Sequence, residues 1–235
     1  MTNIECIKYN LSDIKHCISE AAKKAGTSEN DIKMVAVTKY ANLDQMNKLL
    51  DLGVTDLGEN KVQTAVPKIE KLGDQVNWHF VGHLQSNKVK YLINYVDLIH
   101  SLDRKSLAKE LDKRAKKDDI YVDALVQVNI AQDESKYGIS PDQVTPFIDK
   151  TMNSYPNINI RGLMTMTPYY PDPEEIRPYY VKMTELFRKI KDEFEIDDFK
   201  YLSMGMSHDF PIAIEEGANL VRIGRAFFKS REEGN

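Results

Sequence analysis

Met34-Val35-Ala36-Val37-Thr38-Lys39, followed by a helix-patterned Leu43–Leu52 and a second apolar run at Val54–Leu57, sets the rhythm that decides the fold. Five residues rich in β-branched side chains read as a buried strand, and the next segment has helical spacing. The unit then recurs. Strand-like runs follow at Trp78–Val81, Val96–His100, Val122–Ile130, Ile158–Met164, Tyr201–Met204 and Leu220–Ile223. Helix-patterned stretches fill the gaps at Asn60–Leu72, Ser86–Tyr95, Arg104–Lys116, Pro141–Met152, Glu174–Phe194 and Asp209–Glu216. Alternation at this period indicates parallel strands joined by crossover helices. Eight such units in roughly 200 residues suit a closed (β/α)8 TIM barrel better than an open doubly wound sheet.

Upstream, Ile4, Ile7, Leu11, Ile14 and Ile18 recur at helical spacing, which predicts an extra N-terminal helix. Thr2 and Glu5 fit a capping box, and Gly26 is a natural stop. Cys6 and Cys17 flank the stripe and read as packing residues. With no Pro/Ser-rich linker, the chain is expected to be one α/β domain. Residues 1–26 form its first helix, 34–229 the barrel and 230–235 a frayed tail. Thr167–Pro173, with three prolines and two tyrosines, is expected to form a rim loop.

Composition narrows the function classes. In 235 residues, 32 Lys+Arg against 36 Asp+Glu give a net charge of −4, which argues against a protein that coats nucleic acid. No apolar run approaches the roughly 20 residues needed to span a bilayer. The opening Met1-Thr2-Asn3-Ile4-Glu5 lacks a secretory signal, and two cysteines supply neither a disulfide framework nor a four-thiolate zinc site. A cytoplasmic protein is the expectation.

In a barrel, chemistry belongs where the strands end and the βα loops meet. Strand alternation puts Val35, Val37 and Lys39 on one face. If the valines point inward, the ammonium emerges at the mouth between apolar walls, where desolvation would yield a neutral amine able to form an imine. The structural alternative is a lysine that merely snorkels at a strand end. At Ser203-Met204-Gly205-Met206-Ser207, a strand passes into a helix with Ser207 as its expected N-cap, a ready anion site. In Val221-Arg222-Ile223-Gly224-Arg225, Gly224 lets the backbone approach a bound group. These are the loops after strands seven and eight, where barrels frequently hold phosphate. Arg222 shares a strand face with Leu220 and needs an acceptor, either a carboxylate such as Glu59 or Asp103, or a ligand atom. His79 and His83, four residues apart on a strand, stand about 13 Å apart at 3.3 Å per residue, too far for one metal ion. No metal site is expected. His79 reads as a packed, hydrogen-bonded residue and His83 as a mouth residue. Lys88-Val89-Lys90 reads as a solvent-exposed helix face.

A lysine after strand one, a phosphate-type loop after strand seven and an arginine with glycine on strand eight suggest pyridoxal phosphate (PLP). The sequence closely resembles the pyridoxal phosphate homeostasis proteins, also described as YggS-like. The resemblance rests on Val35-Ala36-Val37-Thr38-Lys39, Gly58-Glu59-Asn60-Lys61-Val62-Gln63 and Trp78-His79-Phe80-Val81-Gly82-His83-Leu84-Gln85-Ser86-Asn87-Lys88. It continues through His100-Ser101, Gln127-Val128-Asn129-Ile130, Gly162-Leu163-Met164-Thr165-Met166, Leu202-Ser203-Met204-Gly205-Met206-Ser207 and Val221-Arg222-Ile223-Gly224.

The resemblance implies a barrel similar to the N-terminal domain of bacterial alanine racemase, with pyridoxal 5'-phosphate held by Lys39 as an internal imine. It places the phosphate on Ser207 and the backbone of Gly224 and Arg225, Arg222 opposite the pyridine nitrogen, and Asn60 in the pocket lining. The family usually has threonine where this chain has Arg225, so a hydroxyl donor is replaced by a guanidinium. A permanent cation at the ring nitrogen weakens the cofactor as an electron sink. The chain also ends eleven residues after Gly224. On that length the second domain which, in the resembling racemases, brings the opposing acid/base is not expected. The expectation is a monomeric carrier and buffer of vitamin B6 with no catalytic residues of its own, and PLP-dependent apoenzymes as candidate recipients. The alternatives are a weak amino-acid racemase or decarboxylase, and a phosphosugar barrel enzyme without cofactor.

Overall fold

Each strand of the sequence pattern pairs in parallel with the next, and the last pairs with the first. The computed structural model describes residues 3–194, 196 and 198–230. The strands are β1 (Lys33–Val37), β2 (Asp56–Glu59), β3 (Asn77–Phe80), β4 (Leu98–Leu102), β5 (Val122–Val128), β6 (Ile158–Thr165), β7 (Tyr201–Ser203) and β8 (Leu220–Ile223). They form a closed barrel in sequence order, β8 returning to β1 with Val35 opposite Arg222. Closure matters for the site, because it makes neighbours of the two strands furthest apart in the chain.

The helices outside the barrel are α1 (Asn3–Ala25), α2 (Leu43–Asp51), α3 (Val62–Leu72), α4 (Lys105–Asp118), α5 (Val144–Ser154), α6 (Arg177–Phe194) and α7 (Phe210–Glu215). The start of α2 shows why local sequence suffices for its boundary. Asn42 Oδ1 accepts from the Gln45 N–H at 2.9 Å while the Gln45 side chain accepts from the Asn42 N–H at 3.0 Å.

In α1, Ile7, Leu11, Ile14 and Ile18 are buried and face α7 and α2. Burial of each such side chain is worth roughly 1.5–3 kcal/mol. Asn10, also buried, donates to Phe227 O at 2.9 Å and Lys229 O at 3.0 Å, so α1 pins the chain that leaves β8. Gly26 ends the helix with a positive φ of 70°. The capping box expected from Thr2, and the tail Arg231–Asn235, lie outside the described residues.

Several expectations need correction. The stretch Ser86–Tyr95 holds no α-helix but a 3-10 segment, Ser86–Tyr91. A short connection that must also line the mouth has too few residues to repay helix nucleation. The second strand is Asp56–Glu59 rather than Val54–Leu57, and the fourth is Leu98–Leu102 rather than Val96–His100. Both shift toward the mouth, because Glu59 and Ser101 are buried polar residues that an apolar-run reading leaves outside a strand. Cys6 is buried as expected, but Cys17 is exposed.

Candidate functional site

The inward faces of the strands set the site. Val35, Leu98, Leu125, Met164 and Leu220 pack together in the barrel interior. The valine face of β1 and the Leu220–Arg222 face of β8 therefore point inward, as alternation requires. Above this layer, at the C-terminal ends of the strands, opens a cavity of about 1110 Å3. Lys39, Asn60, Ser207, Arg222, Gly224 and Arg225, all singled out from sequence, line it together. A cavity of about 470 Å3 at the opposite end is bordered by Lys33 and Asp56, where β1 and β2 begin.

Lys39 stands at the rim. Its ammonium lies 5.0 Å from the centre of the Tyr40 ring, and the residue is exposed rather than enclosed by apolar walls. The desolvation expected there is not supplied. What the structure supplies instead is an amine with no competing acid: among the described residues, no carboxylate lies within ion-pair distance of it. Glu59, the buried acid one strand away, is taken up by Lys68 at 2.7 Å and Thr38 Oγ1 at 2.7 Å, and Asp103 is taken up by Arg104 at 2.5 Å.

Neither acid pairs with Arg222, contrary to one of the two options left open by the sequence. Arg222 is buried, donating from Nη1 to Ser203 Oγ at 2.7 Å and from Nη2 to Thr165 O at 2.8 Å. Burial brings its pKa down to about 10, opposed by nearby Tyr180 and Asp209, so it remains a cation at neutral pH. A buried guanidinium bonded only to neutral groups on the protein side is an electrostatic invitation to an acceptor in the cavity.

Ser207 does not cap a helix. The N-cap position falls to Asp209, whose carboxylate accepts from the upstream Met206 N–H at 2.5 Å and makes no bond to the helix's own N–H groups. Ser207 Oγ instead accepts from the backbone N–H groups of Gly224 at 3.0 Å and Ala226 at 3.3 Å. With both lone pairs engaged, its hydroxyl hydrogen is free to donate into the cavity that Ser207 lines. Ala226 was missed by the sequence reading, because a backbone donor leaves no trace in residue type. Among the described residues, no hydrogen bond takes up the N–H of Arg225, and its side chain is exposed.

Asn60 is held by contact with Gly82, where an added Cβ would come within 2.1 Å of Asn60 O. Gly82 thus fixes the loop after β2 against the one after β3. His83 lines the mouth as expected and stacks on Tyr137 with ring centres 3.9 Å apart. Thr167, Pro168 and Tyr169 of the proline-rich loop form another part of the rim. Lys88, read as part of a solvated face, also reaches the cavity. Among the described residues, no group of three His, Cys, Asp or Glu side chains could hold a metal ion.

The cavity thus presents a rim amine, a buried cation and a hydroxyl-and-backbone cradle, donors that suit an aldehyde carrying a phosphate and a ring acceptor. That chemistry agrees with what is known of similar proteins. Residues 9–232 match the family described as alanine racemase, N-terminal domain. The chain is 43% identical over 223 residues to the pyridoxal phosphate homeostasis protein of Aquifex aeolicus, covering 94% of this chain and 97% of that protein. PipY of Synechococcus elongatus, solved with PLP bound, superposes with a TM-score of 0.79 at 28% identity, covering 90% of this chain and 100% of that one. Alanine racemase of Clostridium difficile, at 16% identity, shares the fold with a TM-score of 0.75 over 97% of this chain and 57% of its own. A barrel related over nearly its whole length to these proteins belongs to the pyridoxal phosphate homeostasis family.

Proposed function

We propose that this chain binds pyridoxal 5'-phosphate reversibly at the barrel mouth and acts as a carrier and buffer that maintains vitamin B6 and amino-acid balance. The observation that carries this reading is the closure of β8 onto β1, which sets an unpaired amine, Lys39, and a buried guanidinium, Arg222, on adjacent strands around one cavity. When bound, the cofactor supplies an aldehyde that condenses with a primary amine and releases water.

Lys39 is the attachment point. The Ser207 hydroxyl and the backbone N–H of Arg225 hold the phosphate, with the N–H groups of Gly224 and Ala226 fixing Ser207 beside them; the Gly224 N–H joins the phosphate donors only where the ligand draws it from Ser207 Oγ. Arg222 faces the ring nitrogen, and Asn60 lines the pocket. Because Arg222 stays charged, it donates to that nitrogen and keeps a proton off it, which disfavours carbanion chemistry. Retention and release, rather than turnover of amino acids, are the output of such a site. The same reading makes the protein a cytoplasmic monomer that passes cofactor to PLP-dependent apoenzymes. Among the described residues, no helix is long and apolar enough to cross a membrane.

The test is to add the cofactor, reduce with borohydride and map the modified peptide. Label on Lys39, lost in Lys39→Ala together with the visible absorption band, supports the assignment. Label elsewhere, or a colourless protein, overturns it. Assay of the loaded protein with amino acids separates carrier from enzyme. Deuterium exchange at the α-carbon without turnover fits the carrier, and robust racemisation or decarboxylation overturns that part.

A further inference from the structure

Below the mouth, the barrel interior is crossed by a row of polar side chains that cofactor contact leaves unexplained. Arg222 Nη1 donates to Ser203 Oγ at 2.7 Å, and Ser203 Oγ lies 3.2 Å from His100 Nδ1. His100 Nε2 is 2.9 Å from His79 Nδ1, and His79 Nε2 is 2.9 Å from Asp56 Oδ1. Asp56 also accepts from Lys33 Nζ at 2.9 Å. Arg222, Ser203, His100 and His79 are all buried, whereas Asp56 and Lys33 border the cavity at the opposite end. The row therefore joins the mouth to the foot of the barrel through β8, β7, β4, β3 and β2.

With a single proton on each imidazole, the carboxylate end fixes the direction of every bond back to Ser203. An arginine can only donate, and an ionised carboxylate can only accept. Burial would push the Asp56 carboxyl up, but hydrogen bonds from His79 and Lys33 outweigh it and hold the group below its ordinary range. Ser203 must then accept from Arg222, which leaves its hydrogen for His100 Nδ1. His100 must carry its proton on Nε2 and give it to His79 Nδ1. His79 in turn carries its proton on Nε2 and gives it to Asp56. In that arrangement all four bonds are satisfied with both rings in the same tautomer.

We propose that Asp56, His79, His100 and Ser203 are positioning residues for Arg222. They form a one-way donor chain that starts at the guanidinium, ends on a carboxylate at the far end of the barrel, and holds the cation in register with the mouth. Its bearing on cofactor retention rests on the role given to Arg222 above, while its direction does not. A reversed His100 ring would give an N–H to Ser203 Oγ, whose second lone pair can take it, but would set a bare Nε2 against the bare Nδ1 of His79. The far carboxylate is what forbids that arrangement.

The experiment reads the ring nitrogens of ligand-free protein by long-range proton–nitrogen NMR with labelled histidine at neutral pH. Both His79 and His100 are expected to be protonated on Nε2 with Nδ1 as a bare acceptor. Asp56→Asn replaces the obligate acceptor by a group that can also donate. It is expected to shift both rings toward a mixture of tautomers and to speed cofactor release by about threefold to tenfold, as loss of one charge-assisted bond allows. Lys39 should still take the borohydride label. His100→Phe should speed release at least as much, and the partly exposed Asp56 site gives an answer even if that core variant does not fold. A proton on Nδ1 of either ring overturns the proposal. So does an Asp56→Asn protein whose ring nitrogens and release rate match those of the parent. Absence of label on Lys39 in the parent would count against the cofactor site and leave the tautomer result standing by itself.

Discussion

Lys33 opens β1 and Lys39 stands two residues past its end, the same residue type with opposite fates. At the foot, Lys33 is tied to Asp56 at 2.9 Å, and that carboxylate also holds His79. At the mouth, among the described residues, Lys39 has the Tyr40 ring beside it and no carboxylate within ion-pair distance, and Glu59, one strand away, is taken up by Lys68. Charge at the foot locks adjacent strands together. Charge at the mouth is arranged so that one amine and one guanidinium remain available. Residue type is the same at both ends, so availability is a property of what the neighbours have already bonded.

The largest expected effect sharpens this contrast. After borohydride reduction, all label should lie on the peptide with Lys39 and none on that with Lys33, and Lys39→Ala should lose it completely. Comparable labelling of the foot lysine would break the comparison. Next in size are the ion pairs. Lys68→Met strands Glu59, whose side chain is 1% exposed, and should cost about 3–5 kcal/mol in urea denaturation. Lys33→Met breaks a pair that is 33% and 18% exposed and should cost under about 1 kcal/mol. Equal costs would mean that the mouth pair is as well solvated as the foot pair.

The sequence made the barrel legible because β-branched runs and helical spacing repeat eight times, and parallel pairing follows from that rhythm. It made Lys39, Ser207, Arg222 and Gly224 legible because they end strands one, seven and eight. Asn60 came from its place beside Glu59 at the end of the second strand, and its pocket role from the family resemblance. What stayed hidden is pairing. Nothing in Lys68 or Glu59 announces that they will meet and leave Lys39 without an acid. Nor does the alternation of β3 and β4 show that His79 and His100 face each other inside the barrel. Ser207 failed as a cap for a related reason. The helix begins two residues later, with Asp209 at the N-cap position, while the serine oxygen is claimed by backbone just past β8, a contact set by the pairing of β7 with β8.

Between the two ends, His100 provides a pH test. Burial, with the nearby His79 and Arg222, holds its pKa well below the ordinary 6.5. The unfolded chain therefore binds a proton near pH 6.5 that the folded one refuses. This contribution is fully present above that pH and is lost as pH falls toward the folded value, at about 1.4 kcal/mol per pH unit. Asp56, whose folded pKa is lowered from 3.8, adds a further loss only in more acid solution. Denaturation midpoints of the parent should drop between pH 6.5 and 5, and His100→Phe should flatten that slope. An unchanged slope would mean that the ring is charged inside the barrel, and the divide between a charged foot and a neutral interior would disappear.

The smallest effect concerns Arg225, where the family resemblance leads us to expect threonine. Its side chain is exposed at the mouth while its backbone N–H faces no partner among the described residues, so the peptide and not the guanidinium is placed to serve the phosphate. An exposed charge acts across solvent and is screened within about 8–10 Å at ordinary salt. Arg225→Thr should therefore change the dissociation constant for pyridoxal phosphate by less than about threefold, the range of a surface ion pair. It should also make affinity less sensitive to salt, as one attracting charge is removed. Absorbance titrations at low and high ionic strength measure both. A loss of affinity of about tenfold or more would place the guanidinium directly on the phosphate. The mouth would then grip its ligand with a paired side-chain charge, as the foot grips Lys33, and the distinction between the ends of the barrel would rest on Lys39 alone.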